Sequence, residues 1–439
     1  MTPHLTLRQP IRLFARGIGP LLIRMATIAG KMLILLFLAK RLSTSALGVY
    51  ALAVTTLSLA TYLLGFEFYV FNMRELLATD AKHAAHLVRD QFMFHSLCYA
   101  LLLPVSYVLA RYGVIPTELS WAFLPLLLTE HVCQEGYRLL LTLSRPVLAN
   151  LTLFLRSTFW VLVLMAADAL HLCRVALPTV WAMWLSADIL CVLLMASWVP
   201  RQTWSHAFAP PVNWKWIRKG VAVSIQYLFI SAAYLLAQNI PRYILQYYHG
   251  AATLGVFFFF ASMANTLYTL IEAAVISVVQ PKLITAYAMP TPSVFSNLLL
   301  ETAAAVLGCA GLLAVALHVS LPALLRVLNK PDLIAQRGVL IILLAGVFAL
   351  AASYIPHVVL FVRRRDAALV FCHIVALGGT VAACLICIPR YGVTGAAWAS
   401  LTSCCLLLLC KAIVCVAPVR LIGKDVSVRP RRIVTPEAT

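Results

Sequence analysis

Apolar runs of about twenty residues alternate with short polar segments along nearly the whole chain. A helix needs ~20 mainly apolar residues to cross the roughly 30 Å hydrocarbon core of a bilayer. The pattern therefore predicts an all-α fold, that of a polytopic membrane protein with about 12 transmembrane helices. Their predicted ranges are 17–39, 47–70, 91–110, 121–142, 147–168, 178–199, 220–240, 253–277, 297–319, 338–361, 367–388 and 393–416.

The longest internal polar link, residues 200–219, divides the predicted helices six and six. It combines tryptophans with lysines and arginines, which is typical of a segment in the headgroup layer of a membrane. We expect a six-helix lobe over residues 1–199, a basic interfacial linker over 200–219 and a second six-helix lobe over 220–417. Residues 418–439 are expected to form a basic cytoplasmic tail.

A short sequence echo relates the two predicted lobes. Ala46-Leu47-Gly48-Val49-Tyr50 opens the second predicted span, and Thr253-Leu254-Gly255-Val256-Phe257 opens the eighth. Glycine at such a position permits close packing of neighbouring helices. Many transporters are built from repeats of this kind, with the substrate site at the repeat interface.

Composition excludes a soluble protein with a single core. Hydrophobic residues make up 62% of the chain and charged residues 11%, against roughly 45–50% and about 25% in soluble domains. The net charge of +19 would in a soluble protein raise the question of nucleic acid. Here basic cytoplasmic loops account for much of it, and a basic cavity that binds an anion could account for more, so no nucleic-acid partner is expected.

The distribution of lysine and arginine between the loops predicts the orientation. About 20 basic residues fall on one side of the membrane and about 9 on the other, and basic residues favour the cytoplasmic side. Both termini, the linker near Trp204 and the loop with Arg363, Arg364 and Arg365 are therefore expected in the cytoplasm. The loop near Asn329 is expected on the opposite side.

Several ionisable residues lie within the apolar spans, where they are costly unless they face protein or water. We expect the cations to line a substrate-binding cavity, because guanidinium and ammonium groups attract phosphate and sugar acids. The carboxylates are candidates for ion coupling or gating. The predicted cations are Arg24, Lys31, Arg138 and Arg156 within the spans and Arg242 just beyond the end of the seventh span. The predicted carboxylates are Glu130, Asp188 and Glu272.

Structural roles are open for some of these residues. Arg138 follows Glu135 by three residues, so the two can neutralise each other on one helix face. Arg24 or Lys31 can extend its charge to the membrane interface. Asp188 can form a permanent salt bridge, with Arg156 as the candidate by depth, or it can bind and release a proton during transport.

Three segments resemble the O-antigen (Wzx-type) polysaccharide flippases of the multidrug/oligosaccharidyl-lipid/polysaccharide (MOP) exporter superfamily. They are residues 38–51, Arg74-Glu75-Leu76 and 388–399, the last with the pattern Gly-x-x-Gly-Ala-Ala. Family members commonly have an Asp-Arg pair at the end of span seven, whereas this chain reads Asn239-Ile240-Pro241-Arg242 and keeps only the arginine.

The resemblance implies a two-lobed fold in the bacterial inner membrane that moves undecaprenyl-pyrophosphate-linked oligosaccharide repeat units by alternating access, for O-antigen or exopolysaccharide biosynthesis. Expected partners are this anionic lipid-linked oligosaccharide, membrane lipids, H⁺ or Na⁺ as a coupling ion, and a glycan polymerase. No cofactor is expected.

Two alternatives are open, one in the same superfamily and one from a different function class. A drug/cation antiporter of the same superfamily would prefer acidic and aromatic cavity walls, whereas the first lobe here is cationic. A membrane-embedded glycan ligase or polymerase would need a large external loop with catalytic residues, and the predicted external loops are short. The Cys384-x-x-Cys387 motif has no second pair of ligands at metal spacing, so neither an enzyme nor a metal site is expected.

Overall fold

The computed structural model describes residues 18–79, 81–111, 119–198 and 211–416. Residues 200–210 of the predicted linker, the predicted tail (418–439) and the loop around Tyr112 lie outside these residues. Every regular element in the described ranges is a helix. The α-helices are α1 Ile18–Arg41, α2 Thr44–Gly65, α3 Phe68–Leu77, α4 Ala81–Arg111, α5 Ser120–Thr142, α6 Pro146–Phe154, α7 Trp160–Ala169, α8 Leu177–Ser197, α9 Trp214–Ile271, α10 Ser277–Tyr287, α11 Pro292–Leu328, α12 Pro331–Ala335, α13 Val339–Ala352, α14 Tyr354–Val362 and α15 Asp366–Val416.

Two short π-helical turns join neighbouring α-helices. The first, Leu155–Phe159, connects α6 to α7, and the second, Glu272–Ile276, connects α9 to α10. A π turn contains one residue more than an α turn and is frequent at functional sites. Both π turns are therefore candidate positions for a functional site.

The number of membrane-spanning segments agrees with the predicted twelve. In the described ranges, 8 continuous helical segments are long and apolar enough to span a bilayer. Two of them are interrupted by glycines with non-helical dihedral angles, Gly250 (φ 78°) in α9 and Gly392 (φ 53°) in α15. These interruptions divide two segments into four, which gives ten. The more polar helices α4, of 31 residues, and α5, of 23 residues, are long enough to complete the twelve. The chain is therefore an all-α, multi-pass membrane protein.

The end of the seventh predicted span differs from the structure. It was expected at residue 240, with Arg242 in the loop that follows. Instead α9 continues through Pro241 as far as the interruption at Gly250. Arg242 consequently lies within a helix and not in a loop.

We call the parts of the chain before and after the link 200–219 the first and the second half. The similar sequences that open the second and eighth predicted spans lie in different halves and contact each other directly. A Cβ atom added to Gly48 would lie 1.8 Å from the carbonyl oxygen of Ala251, and one added to Gly255 would lie 2.0 Å from that of Thr44. Only glycine allows the start of α2 and the helix after Gly250 to pack this closely.

Polar contacts join the chain around this crossing. Thr44 Oγ1 donates to Asp332 Oδ2 at 2.9 Å, and Lys330 Nζ donates to the carbonyl oxygen of Leu42 at 3.0 Å. We call the region of residues 42–48, 251–255 and 330–332 the closed end of the interface between the halves.

The most extensive of four apolar clusters in the described residues extends across both halves. It includes Leu126 and Trp181 from the first half and Phe259, Phe260 and Leu340 from the second, all of them fully buried. The two halves are therefore packed against each other and do not merely share a membrane.

Candidate functional site

A cavity of about 440 Å³ lies between the two halves. Four ionisable carboxylate, ammonium or guanidinium groups line it: Lys31 on α1, Glu130 on α5, Arg156 in the first π turn and Arg242 on α9. Three cations and one carboxylate give the lining a net charge of +2. The remaining lining residues are Ile34, Leu35, Tyr50, Val54, Leu57, Ser58, Thr61, Gln134, Leu153, Ser157, Trp160, Trp184, Phe258, Ser262, Asn265, Thr266 and Thr269.

The Arg156 side chain is held by Glu130. Its Nη1 donates to Glu130 Oε2 at 2.7 Å and to the Glu130 carbonyl oxygen at 3.1 Å. The other carboxylate oxygen accepts from Trp184 Nε1 at 2.7 Å. Glu130 therefore fixes a guanidinium and an indole on the same wall of the cavity, and it neutralises one of the three cations.

The π turn that carries Arg156 packs tightly against α1. A Cβ atom on Gly30 would lie 2.0 Å from Thr158 Cγ2, and Thr158 Oγ1 donates to the Thr27 carbonyl oxygen at 3.3 Å. This contact holds α1, with Lys31 on it, next to the turn that positions Arg156.

Lys31 and Arg242 carry the uncompensated charge. Neither forms an ion pair within the described part of the chain. Arg242 Nη1 donates to Thr55 Oγ1 at 2.7 Å, and the guanidinium lies 5.6 Å from the centre of the Phe258 ring. Lys31 belongs to the first half and Arg242 to the second, so an anion between them would contact both halves.

Asp188 is fully buried but is not paired with Arg156. Its Oδ2 lies 3.2 Å from Thr129 Oγ1, whose single proton also has the Pro125 carbonyl oxygen at 2.9 Å, and Oδ1 has no hydrogen-bond partner among the described residues. The salt bridge considered from the sequence is therefore absent, because Glu130 occupies Arg156. Glu272 begins the second π turn with an exposed side chain. Of the three predicted carboxylates, only Glu130 lines the cavity.

Comparison with known proteins identifies the fold. No protein-family model matches the sequence, and no curated protein matches it. Among solved structures, an inward-facing multidrug resistance MATE family transporter of the MOP superfamily matches with a TM-score of 0.70 at 13% identity, over 90% of this chain and 97% of that one. The lipid II flippase MurJ, in an inward closed conformation, matches with a TM-score of 0.74 at 11% identity, over 91% and 87%. This chain shares the fold of these two proteins.

A further match is to a transporter structure in a different conformation. An outward-facing structure of a multidrug resistance MATE family transporter matches with a TM-score of 0.57 at 12% identity, over 92% of this chain and 95% of that one. These neighbours are described as transporters or a flippase.

Two predicted cations are outside the cavity. Arg138 Nη1 pairs with Glu135 Oε1 at 2.7 Å, and its guanidinium lies 3.8 Å from the centre of the Tyr69 ring. Gln91 Nε2 donates to the other Glu135 oxygen at 2.6 Å. Arg138 thus forms the local pair considered from the sequence. Arg24 lies on α1 but is not among the lining residues.

Sequence reasoning missed the aromatic side chains of the cavity. Tyr50, Trp160, Trp184 and Phe258 line it. The Trp160 and Trp184 rings are stacked with centroids 6.4 Å apart. The Tyr50 ring stacks on Trp181 at 5.6 Å. Aromatic residues in apolar spans have no sequence signal that separates a cavity wall from a lipid-facing surface.

Proposed function

We propose that this protein is a flippase that moves undecaprenyl-pyrophosphate-linked oligosaccharide repeat units across the bacterial inner membrane. The observation that supports this proposal is the net charge of +2 on the cavity lining. A pyrophosphate diester carries about two negative charges, and arginine binds phosphoryl oxygens in charge-assisted hydrogen bonds. The cavity and this headgroup are therefore complementary in charge.

Cavity size favours the headgroup over the whole substrate. A volume of about 440 Å³ is within the range of about 300–1,000 Å³ for small-molecule sites. We propose that the pyrophosphate and the adjoining sugar occupy it. The rest of the oligosaccharide would extend through the cavity opening, while the lipid tail stays in the bilayer.

The proposed orientation opens the cavity to the cytoplasm. The closed end contains the α1–α2 connection and the residues around Asp332, which positive charge in the loops predicts to be non-cytoplasmic. The higher TM-score with an inward-facing MATE structure, 0.70 against 0.57, supports this proposal. Both termini would then be cytoplasmic, and substrate would load from the side on which it is made.

A drug/cation antiporter is the second candidate. The MATE neighbours and the aromatic cavity walls favour it, because organic cations bind over aromatic rings. The net positive charge of the lining opposes it. The two candidates therefore differ in the sign of the ligand that the cavity binds.

A binding experiment with three ligands tests the proposal. We expect the purified protein to bind undecaprenyl pyrophosphate, to bind undecaprenol much more weakly, and not to bind ethidium. Lys31→Gln and Arg242→Gln should each weaken undecaprenyl pyrophosphate binding about 10-fold or more, since a hydrogen bond to a charged group contributes about 1.5–3 kcal/mol. Lys282→Gln, on exposed surface outside the cavity, is the matched control. Binding of ethidium without binding of the pyrophosphate lipid would favour the antiporter.

Coupling to H⁺ or Na⁺ through Glu130, Asp188 or Glu272 belongs to the same proposal, as does delivery of the repeat units to a glycan polymerase for O-antigen or exopolysaccharide synthesis. A pH or sodium gradient across reconstituted vesicles should accelerate transport of the lipid-linked substrate if coupling occurs. Equal rates with and without both gradients would contradict coupling.

A further inference from the structure

Two pairs of neighbouring residues form a polar contact between the halves beside the cavity. Arg242 Nη1 lies 2.7 Å from Thr55 Oγ1, and Tyr243 Oη lies 2.9 Å from Thr56 Oγ1. The threonines are on α2 and the other two residues on α9. We call these four residues the interlobe clasp.

The direction of these hydrogen bonds follows from the threonine protons. Thr55 Oγ1 donates to the Ala51 carbonyl oxygen at 2.7 Å, and Thr56 Oγ1 donates to that of Leu52 at 2.8 Å. A hydroxyl has one proton, so in the clasp each threonine oxygen accepts. The second half therefore supplies both donors, and one of them is a charged guanidinium.

The guanidinium of the clasp has few hydrogen-bond acceptors. Arg242 has no carboxylate partner in the described ranges, and its buried Nε has no hydrogen-bond partner there. A neutral hydroxyl is a weaker acceptor for it than an anion, because charge-assisted hydrogen bonds are roughly twice as strong as neutral ones. Arg242 also lines the cavity, so an anion in the cavity competes with Thr55 for the same side chain.

We infer that the interlobe clasp keeps the closed end shut in the empty protein and that the anionic headgroup of the substrate releases it by drawing Arg242 away from Thr55. This inference rests on the proposed function. Lys31 and Arg156 hold the anion from the first half, and Arg242 reaches it from the second. The anion then replaces Thr55 as the link between the halves, which allows the closed end to separate only when the cavity is loaded.

A disulfide reporter measures closure. Thr44 and Asp332 are in contact across the closed end, so the T44C and D332C substitutions combined should cross-link when it is shut. The two single variants identify cross-links that involve native cysteines. Inorganic pyrophosphate is the probe, and its binding is measured separately by calorimetry.

Removing the Thr55 hydroxyl tests the clasp. In the reporter background, pyrophosphate should lower cross-linking. Thr55→Val should lower the closed-to-open ratio about tenfold without pyrophosphate, and further addition of pyrophosphate should then have little effect. Thr55→Ser retains the acceptor and should behave like the parent. Tyr243→Phe removes the uncharged bond, so it should weaken closure but leave the response to pyrophosphate.

The outcomes separate this inference from the proposed function. If pyrophosphate binds but changes cross-linking in neither the parent nor Thr55→Val, the clasp has no gating role and the flippase proposal stands. If Thr55→Val cross-links like the parent, the inference is likewise overturned. If pyrophosphate does not bind at all, both release by the anion and the proposed binding of a pyrophosphate headgroup fail.

Discussion

Glu130 determines how much positive charge the cavity presents. It is the one carboxylate among the cavity-lining residues, and it holds Arg156 and Trp184 through its two oxygens. Without this carboxylate the lining would carry three cations and no anion. The residue that limits anion binding is therefore the one that also orders the binding groups.

Glu130→Gln should tighten the binding of inorganic pyrophosphate about 10-fold, equivalent to about 1.4 kcal/mol, because the net charge of the lining rises from +2 to +3. Tighter binding should slow release and reduce transport. Calorimetry at two salt concentrations measures the affinity and its greater salt dependence. Glu135→Gln removes the same charge from a carboxylate outside the cavity lining, and unchanged affinity in Glu130→Gln relative to this control would contradict the prediction.

Asp188→Asn should fold normally. Within the described residues, the Asp188 carboxylate lies near the Thr129 hydroxyl and forms no ion pair. Arg156 is already paired with Glu130, so the amide leaves no buried charge unpaired. We expect the free energy of unfolding to change by less than about 1 kcal/mol, measured by thermal denaturation in detergent. A large loss of stability would indicate a cationic partner in another conformation. With normal stability, a loss of the response to a pH gradient would assign Asp188 to coupling.

At the residue scale, the structure places three of the predicted cations, Lys31, Arg156 and Arg242, in the lining of one cavity. That they bind the substrate stays a prediction. Arg138 does not line the cavity, because a pairing partner three residues away and the Tyr69 ring draw it elsewhere. The cost of burying a charge indicates that a partner exists, but the identity of that partner depends on helix rotation, which the sequence does not encode locally.

At the scale of elements, the close contact of Gly48 and Gly255 joins the two halves. The sequence echo predicted equivalent positions in a repeat. That the two positions touch each other is a property of the assembled fold. The sequence also predicted a loop between residues 240 and 253, whereas in the structure α9 is helical on both sides of Gly250.

Gly48→Ala should impair transport by opening the closed end. The added Cβ would lie 1.8 Å from the Ala251 carbonyl oxygen, and overpacking of this kind costs about 1–3 kcal/mol. The protein should still insert in the membrane, with less cross-linking of the T44C and D332C reporter pair. Gly308→Ala on α11 is the matched control, because nothing lies within 4 Å of its added Cβ. Equal transport by the two variants would contradict the prediction.

At the scale of the whole molecule, side-chain contacts show which interhelical connections lie at the same end of the helix bundle. Arg41 pairs with Asp168 at 2.5 Å, and Lys330 contacts the carbonyl oxygen of Leu42. At the other end, Lys219 lies 3.4 Å from Glu75. The alternation of twelve spans predicts the same grouping. Which of the two ends faces the cytoplasm is a prediction from loop charge.

Single cysteines placed in two loops test this orientation in intact cells. A cysteine at Asn329, in the left-handed position that ends α11, should react with a membrane-impermeant maleimide. A cysteine at Arg364, between α14 and α15, should react only after the cells are permeabilised. The opposite labelling pattern would reverse the orientation and the proposed direction of loading.

The π turn at Leu155–Phe159 has an evolutionary consequence. Such a turn is equivalent to one residue inserted in an α-helix, and one residue corresponds to about 100° of rotation. Deletion of Leu155 would return the segment to α geometry. Arg156 would then take the position around the helix axis that Leu155 now has, rotated away from Glu130. Loss or gain of a single codon can therefore change which ligand charge the cavity accepts. All other residues of the span stay the same.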